Sequence, residues 1–185
     1  EPITVNFLSD ISYPDAGVPE NHDGITISAE AVEGTVGAVG VQVSPSVGLM
    51  QRWPVLEFDV PRSGASVAVN ISFTMSSNAS GVLGFNVTFP GFSGNGGVHL
   101  LDTGSVENVT IVEWNSSAGI SVFFTVDATA LAVANPSVTV LIPSSAGITV
   151  PAGGANRVSN PISMTISQEN SNVSIPVAFE PIGGL

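Results

Sequence analysis

The sequence predicts an all-β fold, arranged as a single β-sandwich or jelly-roll-like domain. Apolar residues recur at every second position through much of the chain, which is the period of a half-buried strand. No stretch keeps the period of an amphipathic helix. Twenty glycines and thirteen prolines separate the apolar segments at short intervals, as turns separate strands. Together these features predict about ten to twelve strands.

The first 24 residues divide into an apolar strand and a polar tether. Residues 1–12 alternate in polarity, and their apolar members are Ile3, Val5, Phe7, Leu8 and Ile11. Residues 13–24 contain prolines, glycines and acidic residues without an apolar period, which predicts a linker. A strand on such a tether can fold back into its own sheet or reach a neighbour, because twelve extended residues span about 40 Å.

Residues 25–185 carry the other strands of the predicted sandwich. Five segments alternate cleanly, at 65–75, 82–89, 119–126, 161–167 and 172–180. Five less regular apolar segments lie at 24–32, 36–43, 53–60, 106–114 and 137–142. Pro176 interrupts the last alternating segment. Because proline has no N–H to donate to a ladder, it predicts either an edge strand there or a position whose missing N–H faces outward.

Composition and charge exclude several classes of protein. Apolar residues make up 43% of the chain and charged residues 10%, which excludes an intrinsically disordered chain. Three arginines, no lysine and fifteen acidic residues give a net charge of −12. Phosphate binding depends on Lys and Arg, so we expect neither nucleic acid nor an anionic membrane as a partner. No apolar run approaches the roughly 18 residues of a membrane-spanning helix.

Two features favour an extracellular location. The sequence begins at Glu1 rather than Met, and removal of a signal peptide is a common origin of such a start. Six N-x-Ser/Thr sequons predict N-glycosylation, at Asn70, Asn78, Asn86, Asn108, Asn115 and Asn172. The chain has no cysteine, which excludes disulfides and thiol catalysis but does not report on the compartment.

The sequence offers little catalytic chemistry, and we expect no enzyme. The two histidines, His22 and His99, lack the spacing of a zinc site. No phosphate-binding loop and no nucleophile elbow is present. The acid pairs at 57 and 59 and at 107 and 113 fall on predicted strands, where exposed carboxylates favour solubility rather than sugar hydrolysis.

The acidic linker is a candidate site for calcium. Asp15, Glu20 and Asp23 crowd one polar loop, and Ca²⁺ takes its oxygen ligands from such loops. Their spacing does not match that of an EF-hand. A run of acidic residues in a linker is more commonly interpreted as a solvated loop than as a metal site. We expect no other cofactor.

Taken together, these features resemble the subunits of archaeal bundling pili and, more distantly, the TasA-like fibre proteins of bacterial biofilms. The resemblance lies in the strand at 2–11, the acidic linker, the Cys-free and Lys-free sequon-bearing domain, and a tail from Ile148-Thr-Val-Pro-Ala-Gly-Gly to Ser174-Ile-Pro-Val-Ala-Phe-Glu-Pro. The resemblance is one of architecture and composition over most of the chain, and no single motif in it is diagnostic.

The resemblance implies donor-strand complementation, in which the N-terminal strand of one subunit inserts into the sandwich of the next. The donor would be 1–12, the linker 13–24 and the acceptor domain 25–185. The donor residues would be Ile3, Val5, Phe7, Leu8 and Ile11. The implied partners are copies of the same chain in a homopolymer, with lateral contacts between fibres, in a filament at the cell surface.

Two other classes of protein stay open on the sequence. A monomeric carbohydrate-binding or adhesin sandwich needs exposed aromatic residues, and Tyr13, Trp53 and Trp114 would serve if the fold gathers them. A capsid or surface-layer β-domain would share the same strand pattern.

Overall fold

The fold was analysed in a computed structural model of the chain. The structure describes residues 17–18, 24–31, 34–42, 48–76, 81–100, 108–115, 119–127, 136–168 and 171–183. The predicted donor strand and most of the acidic linker lie outside these residues.

The described residues form twelve strands and one short 3-10 helix. The strands are β1 Thr26–Ala31, β2 Gly34–Gly40, β3 Met50–Phe58, β4 Val69–Met75, β5 Val82–Pro90, β6 Gly97–Leu100, β7 Asn108–Asn115, β8 Gly119–Asp127, β9 Ser137–Ile142, β10 Ser163–Gln168, β11 Ser171–Pro176 and β12 Ala178–Phe179. The 3-10 helix, Ser144–Ala146, follows β9 directly.

Ten of these strands form two sheets. One sheet has four strands in the order β12-β3-β4-β9, and the other has six in the order β11-β10-β5-β8-β7-β6. Neighbouring strands are antiparallel except for β12, which pairs in parallel with β3. The remaining strands, β1 and β2, pair with each other in a separate two-stranded sheet.

The two larger sheets pack face to face through the inward positions of their strands. Burial alternates along β4 and β5, so one face of each strand enters a single apolar core. Phe73 of β4 lies 5.1 Å from Phe85 of β5 and 6.5 Å from Phe124 of β8 between ring centroids. These rings join the sheets at the centre, and the predicted all-β sandwich is confirmed.

Contacts between the sheets also show which strands face each other. The Phe58 ring on β3 lies 5.7 Å from the ring of Phe92, which follows β5, and β3 contacts β11 in the other sheet. Since β4 faces β5 and β8, β9 lies on the β8–β7 side of the sandwich. A strand added beside β9 would therefore lie above the β7 side of the wider sheet.

The β1–β2 hairpin is more exposed than the sandwich. Ile27 and Val39 face each other across it, and each is 61% exposed. An isolated two-stranded hairpin is only marginally stable in water.

Candidate functional site: a free sheet edge

A strand-donation site needs a sheet edge that an incoming strand can join. The donor residues Ile3, Val5, Phe7, Leu8 and Ile11 lie outside the described residues, so the structure bears on the acceptor side. Four strands end the two larger sheets, namely β6 and β11 in the six-stranded sheet and β9 and β12 in the four-stranded sheet.

Two of these edges are too short to hold a long strand. β12 has two residues and β6 has four. Short edge strands are a common protection against unwanted pairing, because they offer few free backbone groups. As far as the described residues extend, these two edges are therefore poor acceptors.

The β11 edge is longer, but it carries a proline. The Val177 N–H donates to the Ile162 carbonyl at 3.0 Å, so in the alternating antiparallel ladder position 176 faces away from β10. Pro176 thus presents no N–H to an incoming strand. The prediction that this proline marks an edge strand is confirmed by the position of β11 in the sheet.

The β9 edge has no such protection. Its six residues, Ser137–Ile142, include no proline, no charge and no sequon, and Pro136 and Pro143 flank it. The Met75 N–H donates to the Pro136 carbonyl at 2.9 Å. This bond sets the phase of the ladder, so that the backbone groups of Ser137, Thr139 and Leu141 face away from β4. No strand in the described part of the chain pairs with that side of β9.

Below this edge the core is already well packed. Val138, Val140 and Ile142 alternate with the outward residues of β9 and are 0% exposed. Burial fixes the register of β9, because a slip by one residue would turn its apolar face outward. An incoming strand would extend a rigid sheet by one strand.

The outer face of the four-stranded sheet is polar and has opposite charges at its two ends. Arg52, Thr74 and Ser137 form the row at one end, by their register across β3, β4 and β9. Glu57, Asn70 and Leu141 form a row near the other end. The Asn70 Nδ2 donates to Glu57 Oε2 at 3.4 Å.

The turn after β3 adds a second carboxylate at this acidic end. Asp59 Oδ1 accepts the Ala68 N–H at 2.7 Å and so closes the β3–β4 turn. Glu57 is thus a surface residue of β3, and Asp59 is a turn residue.

The outer face of the six-stranded sheet holds a groove of about 420 Å³. Its outward lining consists of Gly84, Asn86, Phe123, Thr125, Thr165, Ser167 and Asn172. Gly84 has no side chain to fill the bottom of the groove. The Phe123 ring lines one side of it and is 39% exposed. The Oδ1 atom of Asn86 is buried there without a hydrogen-bond partner. The groove is uncharged and combines one aromatic face with hydroxyl and amide groups.

The aromatic residues expected to form a sugar patch are placed differently. Trp53 lies on β3 of the four-stranded sheet and Trp114 on β7 of the six-stranded sheet. Tyr13 lies outside the described residues. Phe123 was missed by the sequence analysis, although its signal is visible, because it is an aromatic residue at an outward position of the alternating β8.

The sequon asparagines occupy different environments. Asn172 is exposed, whereas Asn70 and Asn86 are half-buried on the outer faces of their sheets. Asn108 and Asn115 are the end residues of β7, and Asn78 lies outside the described residues. Glycosylation at these positions stays a prediction.

The candidate calcium ligands Asp15, Glu20 and Asp23 lie outside the described residues. Within the described ranges, no three His, Cys, Asp or Glu side chains group as a metal site would require. His99 Nε2 hydrogen-bonds the Asn95 carbonyl at 3.1 Å, and His22 is not described. No helix of the described residues has the length and apolarity to cross a membrane.

Comparison with known proteins adds no relative. No family model matches the chain, and neither a curated protein nor a solved structure matches it.

Proposed function

We propose that the protein is a structural subunit of an extracellular filament, in which each copy donates its N-terminal strand, 1–12, to the β9 edge of the next copy. The observation that carries this proposal is the unprotected β9 edge, which offers the free backbone groups of three residues while the other described edges are short or carry a proline. Strand addition to such an edge is a recurrent mode of protein association.

The dimensions of donor and acceptor agree. Six residues of strand span about 20 Å, and the donor segment of twelve residues covers that length with chain to spare. Burial of Ile3, Val5 and Phe7 contributes at most about 5–9 kcal/mol before association costs. Each backbone hydrogen bond to Ser137, Thr139 or Leu141 adds roughly 0.5–1.5 kcal/mol.

This contact joins two different surfaces, so it is head-to-tail. Such a contact generates an open filament when its rotation does not close a ring. The strongly negative net charge of the chain keeps free subunits soluble.

The test is negative-stain electron microscopy of the full chain beside a variant that lacks residues 1–12. We expect filaments from the full chain and separate particles from the truncated chain, with equal thermal stability of the sandwich in both. Separate particles from both chains would contradict the proposal.

A second candidate function has its own supporting observation, the groove beside Phe123. An exposed aromatic ring next to hydroxyl and amide groups suits a neutral saccharide, because the ring stacks on the sugar and the polar groups bond its hydroxyls. We expect Phe123→Ala to abolish binding of neutral oligosaccharides in calorimetry. Val98→Ala is the control, since Val98 is 66% exposed on β6 of the same sheet. Absence of binding by the unmodified chain would exclude this candidate.

A further inference from the structure

Two of the sequon asparagines occupy matching positions on the outer faces of the two larger sheets. Asn86 lies on β5, an inner strand of the six-stranded sheet, and Asn70 lies on β4, an inner strand of the four-stranded sheet. Both are half-buried, and the Oδ1 atom of each is buried without a hydrogen-bond partner. They differ in the surroundings of the amide nitrogen, which is the atom that carries an N-linked glycan.

The amide nitrogen of Asn70 is engaged, whereas that of Asn86 is accessible. The Asn70 Nδ2 donates to Glu57 Oε2 at 3.4 Å. The Asn86 Nδ2 makes no hydrogen bond with the described residues and, in contrast to the Oδ1 of the same amide, is not buried. The nitrogen is therefore the end of the Asn86 amide that solvent reaches, and it lies in the groove beside Phe123.

An aromatic ring stands directly across from Asn86. In the β5–β8 ladder Asn86 pairs with Phe123, and directly paired residues have Cβ atoms about 4.5–5.5 Å apart on the same face of the sheet. A sugar on the Asn86 nitrogen would thus begin within reach of the Phe123 ring. The corresponding partners of Asn70 are Glu57 and Leu141, neither of which is aromatic.

The groove has room and polar groups for a short saccharide beside this pair. Gly84 is the next outward residue on β5, and the absence of its side chain leaves space between Asn86 and Ser167. Thr125, Ser167 and Asn172 are exposed and line the same groove. Its volume of about 420 Å³ falls within the roughly 300–1,000 Å³ of small-molecule sites.

From this arrangement we infer that the groove holds the chain's own glycan, with a saccharide N-linked to Asn86 and its first sugar stacked on the Phe123 ring. The apolar C–H face of the sugar covers the exposed ring, and its hydroxyls reach the side chains of Thr125 and Ser167. In a chain glycosylated at Asn86, the groove is closed to free saccharides. This glycan site lies on the other sheet from β9, so it is independent of strand donation.

Attachment of the saccharide requires a lipid-phosphate-linked donor and the transferase of the host. The Asn86 Nδ2 forms a bond to the anomeric carbon of the saccharide and loses one proton to solvent. The bond from that carbon to the phosphate oxygen breaks, and the lipid phosphate leaves with the electron pair. Thr88 completes the sequon that such transferases require.

The test compares the full chain from a glycosylating host with the same chain from a host that does not glycosylate. Mass spectrometry of glycopeptides should find a glycan at Asn86. We expect Phe123→Ala to lower the melting temperature by about 2–4 °C more in the glycosylated chain, which is the scale of one aromatic contact in a domain of this size. Asn86→Gln should remove this difference between the hosts, and Asn70→Gln should leave it unchanged.

Leu141→Ala is the matched control for the ring. Leu141 is 44% exposed and pairs with the sequon residue Asn70, as Phe123 pairs with Asn86. Its substitution should shift the melting temperature equally in material from the two hosts.

The sugar signals in nuclear magnetic resonance spectra report the stacking directly. The ring current of Phe123 should move proton signals of the first Asn86-linked sugar upfield, and Phe123→Ala should return them to the positions of a free glycan. Gly84→Val, which fills the space beside Asn86, should do the same while the ring is retained. A glycan at Asn86 whose signals do not respond to either substitution would overturn the inference. Absence of a glycan at Asn86, or an equal effect of Phe123→Ala in both hosts, would also overturn it, and none of these results would bear on the filament.

Discussion

The β9 and β11 strands both form long edges of the sandwich, but they receive an incoming strand differently. Each has six residues, and inward positions alternate with exposed ones along β9 and along residues 172–176 of β11. On β11 the outward set includes Pro176, which has no N–H, and the sequon residue Asn172. On β9 the outward set is Ser137, Thr139 and Leu141, whose backbone N–H and C=O groups pair with no strand among the described residues.

This difference makes β9 the described edge at which a strand of another chain can pair most readily. Natural sheets protect edge strands with proline, charge or short length, because a long, uncharged edge pairs with other chains. Here the described edges follow that rule except at β9. An unprotected edge of high β propensity is a hazard unless it has a regular partner, and strand 1–12 of another copy is the partner that we propose.

The largest expected effect comes from the inner side of β9. Val140→Pro removes the N–H that faces β4 and leaves a carbonyl of β4 unsatisfied beside a fully buried residue. We expect a loss of about 3 kcal/mol in the free energy of unfolding, or failure to fold. Chemical denaturation followed by circular dichroism checks this. A stable Val140→Pro domain would mean that the phase of the ladder is assigned wrongly.

The next largest effect falls on the donor strand. Phe7→Ala removes the largest of the proposed inward side chains, and the loss of a buried Phe costs about 3–5 kcal/mol. We expect the critical concentration for assembly to rise at least about a hundredfold, with an unchanged melting temperature of the sandwich. Asn6→Ala, at the alternate position, is the control. Similar effects of both substitutions, measured by sedimentation, would exclude a face-specific donor.

A smaller effect is expected when the protection of β11 is removed. Pro176→Thr restores an outward N–H to that edge, worth roughly 1 kcal/mol if a second strand joins it. We expect weak additional association of truncated chains that lack 1–12, visible by light scattering at high concentration. If truncated chains with Thr at position 176 associate no more than truncated chains with Pro176, then the proline does not protect the β11 edge.

The smallest effect concerns the sequons. In material from a glycosylating host, we expect higher glycan occupancy at Asn172 than at Asn70, because Asn172 is exposed while the Asn70 amide is half-buried and bonded to Glu57. Mass spectrometry of glycopeptides measures both. Full occupancy at Asn70 and none at Asn172 would show that access to the folded sheet does not decide the modification.

The regular strands could be predicted from the sequence because each has one face against the core and one face at the surface. In β4 and β5 one face enters the core and the other reaches the surface, so burial follows a period of two. β3 was predicted less clearly, and the structure gives the reason. Its register shifts between Met50 and Arg52 and again between Arg52 and Val55, and such bulges interrupt the alternation of side chains.

The identity of the acceptor edge could not be predicted in this way. β9 pairs with β4 across more than 60 residues of sequence, and whether a strand is central or at an edge depends on such distant pairing. Ser121 shows the same limit, since it occupies an outward phase of β8 but is 0% exposed. The strand 137–142 has one local signal, an uncharged β-branched run between Pro136 and Pro143, and this signal became informative only with the sheet order.

One pair of proline substitutions distinguishes β9 from β11 as the acceptor edge. Thr139→Pro removes an outward N–H from β9, and Ser174→Pro makes the same change at an outward position of β11. Neither N–H belongs to a ladder of the sandwich, so both domains should stay folded.

We would follow filament growth of these two variants by electron microscopy and sedimentation. If β9 is the acceptor edge, Thr139→Pro should abolish filaments or raise the critical concentration about a hundredfold, through the loss of one hydrogen bond between the strands and the clash of the proline ring with the incoming strand. Ser174→Pro should assemble like the unmodified chain. Normal assembly of Thr139→Pro, or loss of assembly in Ser174→Pro alone, would contradict strand donation at β9.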